Sequence, residues 1–142
     1  VNKMKKLLLS ILLLTASVAF GQGIQDPCLA PNEVKQSVAI NVSAAATTQL
    51  VAISGTTSIY VCGFNFTAAT GTAATYLLEY GSSASCGTVT ATLTGAMAGN
   101  NSPLISMSAG MQFTKSASGN ALCLVTGGTS PVAQGYLTYI QR

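Results

Sequence analysis

The chain has 142 residues with six Lys or Arg, three Asp or Glu, no histidine and no tryptophan. Lys3, Lys5 and Lys6 account for the formal net charge of +3, because beyond them Lys35, Lys115 and Arg142 balance Asp26, Glu33 and Glu79. So few acids, bases and ligating groups argue against an enzyme, a metal site or a cofactor, and the scattered cations supply no basic face for nucleic acid.

Residues 1–21 divide into a basic start, an apolar run from Leu7 to Ala19 and a small-residue end at Ala19-Phe20-Gly21. This is the layout of a secretory signal peptide. The apolar run is shorter than the ~20 residues of a spanning helix, so cleavage after Gly21 is expected to leave no membrane attachment. No cysteine directly follows the run, which argues against a lipoprotein.

Residues 22–34 contain Gly23, Pro27 and Pro31 and read as an irregular arm. Residues 35–142 then read as one β domain. In Ser37-Val38-Ala39-Ile40-Asn41-Val42 large apolar residues alternate with small or polar ones, the period of a half-buried strand. Comparable segments run over 48–53, 58–66, 75–80, 88–93, 111–114, 121–126 and 132–140. Between them stand turn-formers: Ser54-Gly55, Ala69-Thr70-Gly71, Gly81-Ser82-Ser83, Gly99-Asn100-Asn101, Ser118-Gly119-Asn120 and Gly127-Gly128.

About eight short strands punctuated in this way predict an all-β fold, a single antiparallel β-sandwich of jelly-roll-like type. No helix is required; Ala44 to Ala46 offers at most a helical turn. The alternation nominates Val38, Ile40, Leu50, Tyr60, Phe64, Leu78, Leu93, Phe113, Leu122, Leu124 and Leu137 for the core. Tyr136 and Tyr139 fall on opposite faces of the last strand, so one of them is expected at a surface or interface.

Cys28, Cys62, Cys86 and Cys123 form an even set in a chain that carries an export signal, which predicts two disulfides. A zinc site lacks both a C-x-x-C pair and a histidine. Three connectivities are open. Sequential pairing, Cys28 with Cys62 and Cys86 with Cys123, is preferred: it ties the arm to a strand and closes a second loop of similar size.

Catalysis would have to rest on Glu79, which alternation places opposite Tyr76, Leu78 and Tyr80 and which is expected to be a solvated strand carboxylate. Lys115-Ser116 lacks a supporting nucleophile motif. A glycosidase pair requires a second carboxylate across a cleft, so Asp26 or Glu33 would have to fold over Glu79. Three acids also supply a calcium site poorly. Thr88, Thr90, Thr92 and Thr94 alternate along one segment but do not repeat, and read as an ordinary solvent-facing strand. The N-glycosylation patterns at Asn41, Asn65 and Asn100 are read as chance matches behind a bacterial-type leader.

The succession Thr48-Gln49-Leu50-Val51-Ala52, Ile59-Tyr60-Val61-Cys62-Gly63-Phe64, Leu78-Glu79-Tyr80-Gly81 with Cys86-Gly87-Thr88, Leu93-Thr94-Gly95-Ala96, Gly119-Asn120-Ala121-Leu122-Cys123 and Gly135-Tyr136-Leu137-Thr138-Tyr139 resembles a family of small β-rich proteins. That family occurs in tailed-phage and bacterial genomes, often behind a signal peptide, and the similarity covers about residues 28–141. The resemblance implies a virion accessory, decoration or host-surface-interacting protein and carries over no catalytic residue. The export signal points away from a simple capsid role, because capsids assemble in the cytoplasm.

The sequence therefore predicts a non-enzymatic, secreted or periplasmic structural or binding domain, phage-associated or phage-derived. Its expected partners are copies of itself, a virion or envelope protein, or a surface glycan. A bacterial extracellular matrix or pilus-like subunit is one alternative, and a small secreted hydrolase using Glu79 is another.

Overall fold

The computed structural model describes residues 26–69, 73–99, 104–107, 110 and 112–142. The expected signal peptide (residues 1–21), arm residues 22–25, the turn residues Thr70, Gly71, Asn100 and Asn101, and Pro103 and Met111 lie outside them. Among the described residues ten strands follow one another: β1 (Gln36–Val42), β2 (Ala46–Val51), β3 (Ile59–Ala69), β4 (Ala74–Gly81), β5 (Val89–Thr92), β6 (Met97–Gly99), β7 (Leu104–Met107), β8 (Thr114–Lys115), β9 (Ala121–Gly127) and β10 (Val132–Gln141).

They form two antiparallel sheets. The first has the order β1-β10-β3-β7, with β8 also on β3; the second has the order β2-β9-β4-β5, with β6 also on β4. The chain alternates between the sheets from β1 to β4, stays in the second sheet through β6, returns to the first for β7 and β8, and crosses again for β9 and β10, the jelly-roll arrangement of a β-sandwich. The ten segments occupy eight strand lines. β5 and β6 lie along different stretches of β4, and β7 and β8 along different stretches of β3. Between β5 and β6 the Leu93 amide still donates to the Leu78 carbonyl at 2.7 Å, and just before β8 the Phe113 amide donates to the Val61 carbonyl at 2.9 Å. Of the strand expected over 111–114, Met111 lies outside the described residues, Gln112 and Phe113 are not in a strand and Thr114 begins β8, while β6 and β7 are additional to the expected strands.

The core between the sheets is built from Ile40, Val42, Leu50, Val51, Ile59, Val61, Phe64, Phe66, Tyr76, Leu78, Leu122, Leu124 and Leu137. Of the residues nominated by alternation, Val38 and Leu93 are only partly buried against this cluster. Phe113 is 39 % exposed, its ring edge-on to Phe64 at 5.8 Å. Tyr60 belongs to a separate cluster with Cys28, Cys62 and Ile140.

The error at Tyr60 has a local cause. β3 and β10 pair Thr138 with Gly63 but Tyr139 with Val61, so Cys62 has no opposite residue. A bulge of this kind reverses which residues face inward. Ile59 and Val61 point to the core on one side of it, and Phe64 and Phe66 on the other.

Gly135 on β10 lies opposite Phe66. A Cβ there would stand 2.0 Å from the Asn65 carbonyl oxygen and 2.6 Å from the Phe66 Cα. The missing side chain allows β3 and β10 to close around Phe66, whose ring centroid lies 5.5 Å from that of Tyr76. Tyr76 is fully buried and donates its hydroxyl to the Val132 carbonyl at 3.0 Å. Burial raises its pKa, with the Val132 bond opposing the shift.

Two short 3-10 turns, Pro27–Leu29 and Ala84–Cys86, replace the expected absence of helical structure. Ala44 forms no helical turn: it lies in a bend, and β2 begins at Ala46. The bend is fixed by buried Thr126, whose hydroxyl donates to the Ala44 carbonyl at 2.7 Å and accepts the Ala46 amide at 3.1 Å.

Candidate functional site

Both disulfides follow the sequential pairing. Cys28–Cys62 and Cys86–Cys123 have Cα separations of 5.4 and 6.2 Å, and both join a 3-10 turn to the outer face of a sheet. Two disulfides are compatible with an oxidising, extracytoplasmic location. Among the described residues, no helix is long and apolar enough to cross a membrane.

All three acids are engaged in the fold. Asp26 accepts the Cys28 amide at one carboxylate oxygen and the Gln112 amide at the other, both at 2.8 Å, which holds the arm against the chain before β8. Glu33 pairs with Arg142 at 2.6 Å. The Arg142 guanidinium and the Lys115 ammonium lie 5.3 and 5.7 Å from the Tyr60 ring centroid, so the arm, the C-terminus and β8 converge on this tyrosine.

Glu79 is not the solvated carboxylate expected from alternation. It projects from the outer face of the second sheet, as alternation requires, but is only 6 % exposed. Its cross-strand neighbours are Cys123 and Thr92, and the turn carrying Cys86 folds over this part of the sheet to reach Cys123. Desolvation raises the Glu79 pKa. Asp26 and Glu33 are bound to elements of the other sheet, so the structure does not assemble a carboxylate pair.

Lys115 and Ser116 are also separated. Ser116 is buried and accepts the Ile59 amide at 2.9 Å, whereas Lys115 lies outside over Tyr60. The threonine series is broken up as well. Thr90 donates to the Asn120 side chain, Thr94 accepts the Leu78 amide, and Thr92 remains exposed.

What remains open is the outer face of the first sheet below the arm. Pairing aligns Ala39, Tyr136, Asn65 and Ser106 in one row across β1, β10, β3 and β7, and Asn41, Gln134, Thr67 and Leu104 in the next. Tyr136 is 50 % exposed near the middle of this field. Beside it a depression of about 140 Å³ is lined by Lys35, Gly63, Asn65, Gly110, Tyr136 and Thr138. Tyr139, on the opposite face of β10, packs against the core and shares a 2.7 Å hydrogen bond with the Gln36 side chain.

The field combines an aromatic plane with amide and hydroxyl groups and has Lys35 as its charged neighbour. Such a surface can stack on the apolar face of a ring and exchange hydrogen bonds around it. The alternation of β10 had exposed one tyrosine, but the neighbours of Tyr136 depend on long-range strand pairing. No protein-family model matches this chain, and a search of curated proteins finds no significant match.

Proposed function

We propose that this protein is a non-enzymatic, exported β-sandwich that acts by surface contact, as a phage-associated accessory, decoration or adhesion module. The open field around Tyr136 carries the reading: its two aligned rows contain no charged residue, and it offers one exposed ring among hydrogen-bonding side chains. The partner that suits it is an uncharged, hydroxyl-rich surface such as an envelope glycan, or the polar face of another virion or envelope protein. Jelly rolls serve both capsid and lectin domains, an analogy of fold rather than of site. The signal-peptide-like start and the two disulfides favour a secreted or periplasmic location.

Binding of the mature protein to immobilised glycans and to whole bacterial envelopes tests this reading, with Tyr136→Ala as the probe. The variant should lose at least about tenfold in affinity, since aromatic anchors commonly contribute 2 kcal/mol or more (about 2–4), while its melting curve stays unchanged. Undiminished binding by Tyr136→Ala would refute the assignment of this face. Hydrolysis of an envelope polymer that disappears in Glu79→Gln would instead establish the enzymatic alternative. Tail or lysis genes beside the coding sequence would support the phage context.

A further inference from the structure

A sandwich has four edge strands, and unpaired backbone groups there invite pairing with another chain unless the edge is short, bulged, charged or interrupted by proline. Three edges of this protein carry such protection. The β5/β6 edge is made of two short segments, Val89–Thr92 and Met97–Gly99, and is bulged at Thr90, which has no opposite residue on β4. The described β7/β8 edge consists of two short segments, Leu104–Met107 and Thr114–Lys115, the second ending on a charged lysine. β2 has a register shift between Gln49 and Val51.

β1 has none of these features. Its seven residues pair one to one with β10, from Gln36 on Tyr139 to Val42 on Ala133, without a shift. The segment QSVAINV contains neither a charged residue nor a proline. Gln36, Ser37, Ala39 and Asn41 are exposed.

We propose that β1 is a self-association edge whose occupant is β1 of a second copy, joined antiparallel about a two-fold axis at Ala39. A strand paired with itself by a two-fold axis must run antiparallel. Centring on Ala39 sets Val38 against Ile40, Ser37 against Asn41 and Gln36 against Val42, with two alanines at the axis. No like charges oppose one another in this register, and the balanced charge beyond the leader adds little general repulsion. Two four-strand outer faces would become one continuous face carrying two copies of Tyr136. This inference deepens the assembly side of the proposed function and rests on that reading.

The test compares mature wild-type protein, Ala39→Lys and Thr47→Lys by sedimentation velocity over a range of concentrations, with amide hydrogen exchange on β1. Ala39→Lys sets two lysines against each other at the axis, while Thr47→Lys adds the same charge to exposed β2. Wild type and Thr47→Lys should form dimers with protected β1 amides, and Ala39→Lys should weaken dimerisation at least about tenfold with an unchanged melting curve. Self-association equally strong in Ala39→Lys would overturn the β1 edge while leaving an assembling protein. A wild type that stays monomeric throughout would overturn the β1 edge, whereas the surface-contact reading is decided by the Tyr136→Ala binding test. A monomer with protected β1 amides would assign the edge to another segment of its own chain, which also refutes the proposal.

Discussion

Replacing Gly135 by alanine adds one methyl group at the tightest point of the first sheet. Its Cβ would lie 2.0 Å from the Asn65 carbonyl oxygen, 2.6 Å from the Phe66 Cα and 2.8 Å from the Phe66 Cβ. Ordinary contact begins near 3.4 Å, so β10 and β3 must separate locally by roughly 1 Å or more. The obstacles are backbone atoms and the first side-chain carbon, which cannot swing away as a flexible side-chain end would. A separation of that size removes about two ladder hydrogen bonds, at ~1 kcal/mol net each, and overpacking adds about 1–3 kcal/mol. The expected loss is about 3–5 kcal/mol, a large share of the ~5–15 kcal/mol that typically stabilises a domain. Gly95→Ala is the matched control, since its Cβ meets nothing within 4 Å. Urea unfolding followed by circular dichroism should show a sharply lowered midpoint for Gly135→Ala and little change for Gly95→Ala. A Gly135→Ala variant within about 1 kcal/mol of wild type, at unchanged cooperativity, would refute the close-approach reasoning.

Glu79 and the disulfides supply two further tests. Burial raises the Glu79 pKa in the folded protein, so the folded state holds that proton more tightly than the unfolded chain. Its contribution is most favourable below the unfolded carboxylate pKa and is lost as pH rises through the folded value. Glu79→Gln should therefore gain melting temperature relative to wild type as pH increases from 3 to 8, and a pH-independent difference would contradict the burial argument. The disulfides close loops with sequence separations of 34 and 37, which corresponds to up to ~4 kcal/mol each in the chain-entropy description. Reduction should lower the urea midpoint strongly, and equal stability of reduced and oxidised protein would remove the cysteines from the account of the fold.

Local alternation carried the two-sheet architecture because each sheet has one wet face and one buried face. It identified Ile40, Leu50, Phe64, Leu78, Leu122, Leu124 and Leu137 correctly as core. It failed where the period changes within a strand: the bulge at Cys62 moved Tyr60 out and brought Ile59 and Val61 in. Short edge segments such as β6 and β7 offer too few residues for a period to register. Glu79 was placed on the correct face but given the wrong environment, because the chain that covers it is brought there by the distant Cys86–Cys123 bond. The Tyr136 field was legible only as one exposed ring, since its other members belong to β1, β3 and β7.

The two disulfide loops, 28–62 and 86–123, do not overlap. When the domain is pulled between its arm and its C-terminus, covalent force bypasses both loops through sulfur. Each loop thereby withholds roughly 110–130 Å of contour length, at ~3.3–3.6 Å per residue. β1 and β2 lie wholly inside the first loop and stay outside the covalent load path, even if the remainder is drawn out. Under load the oxidised protein therefore extends far less than the reduced chain.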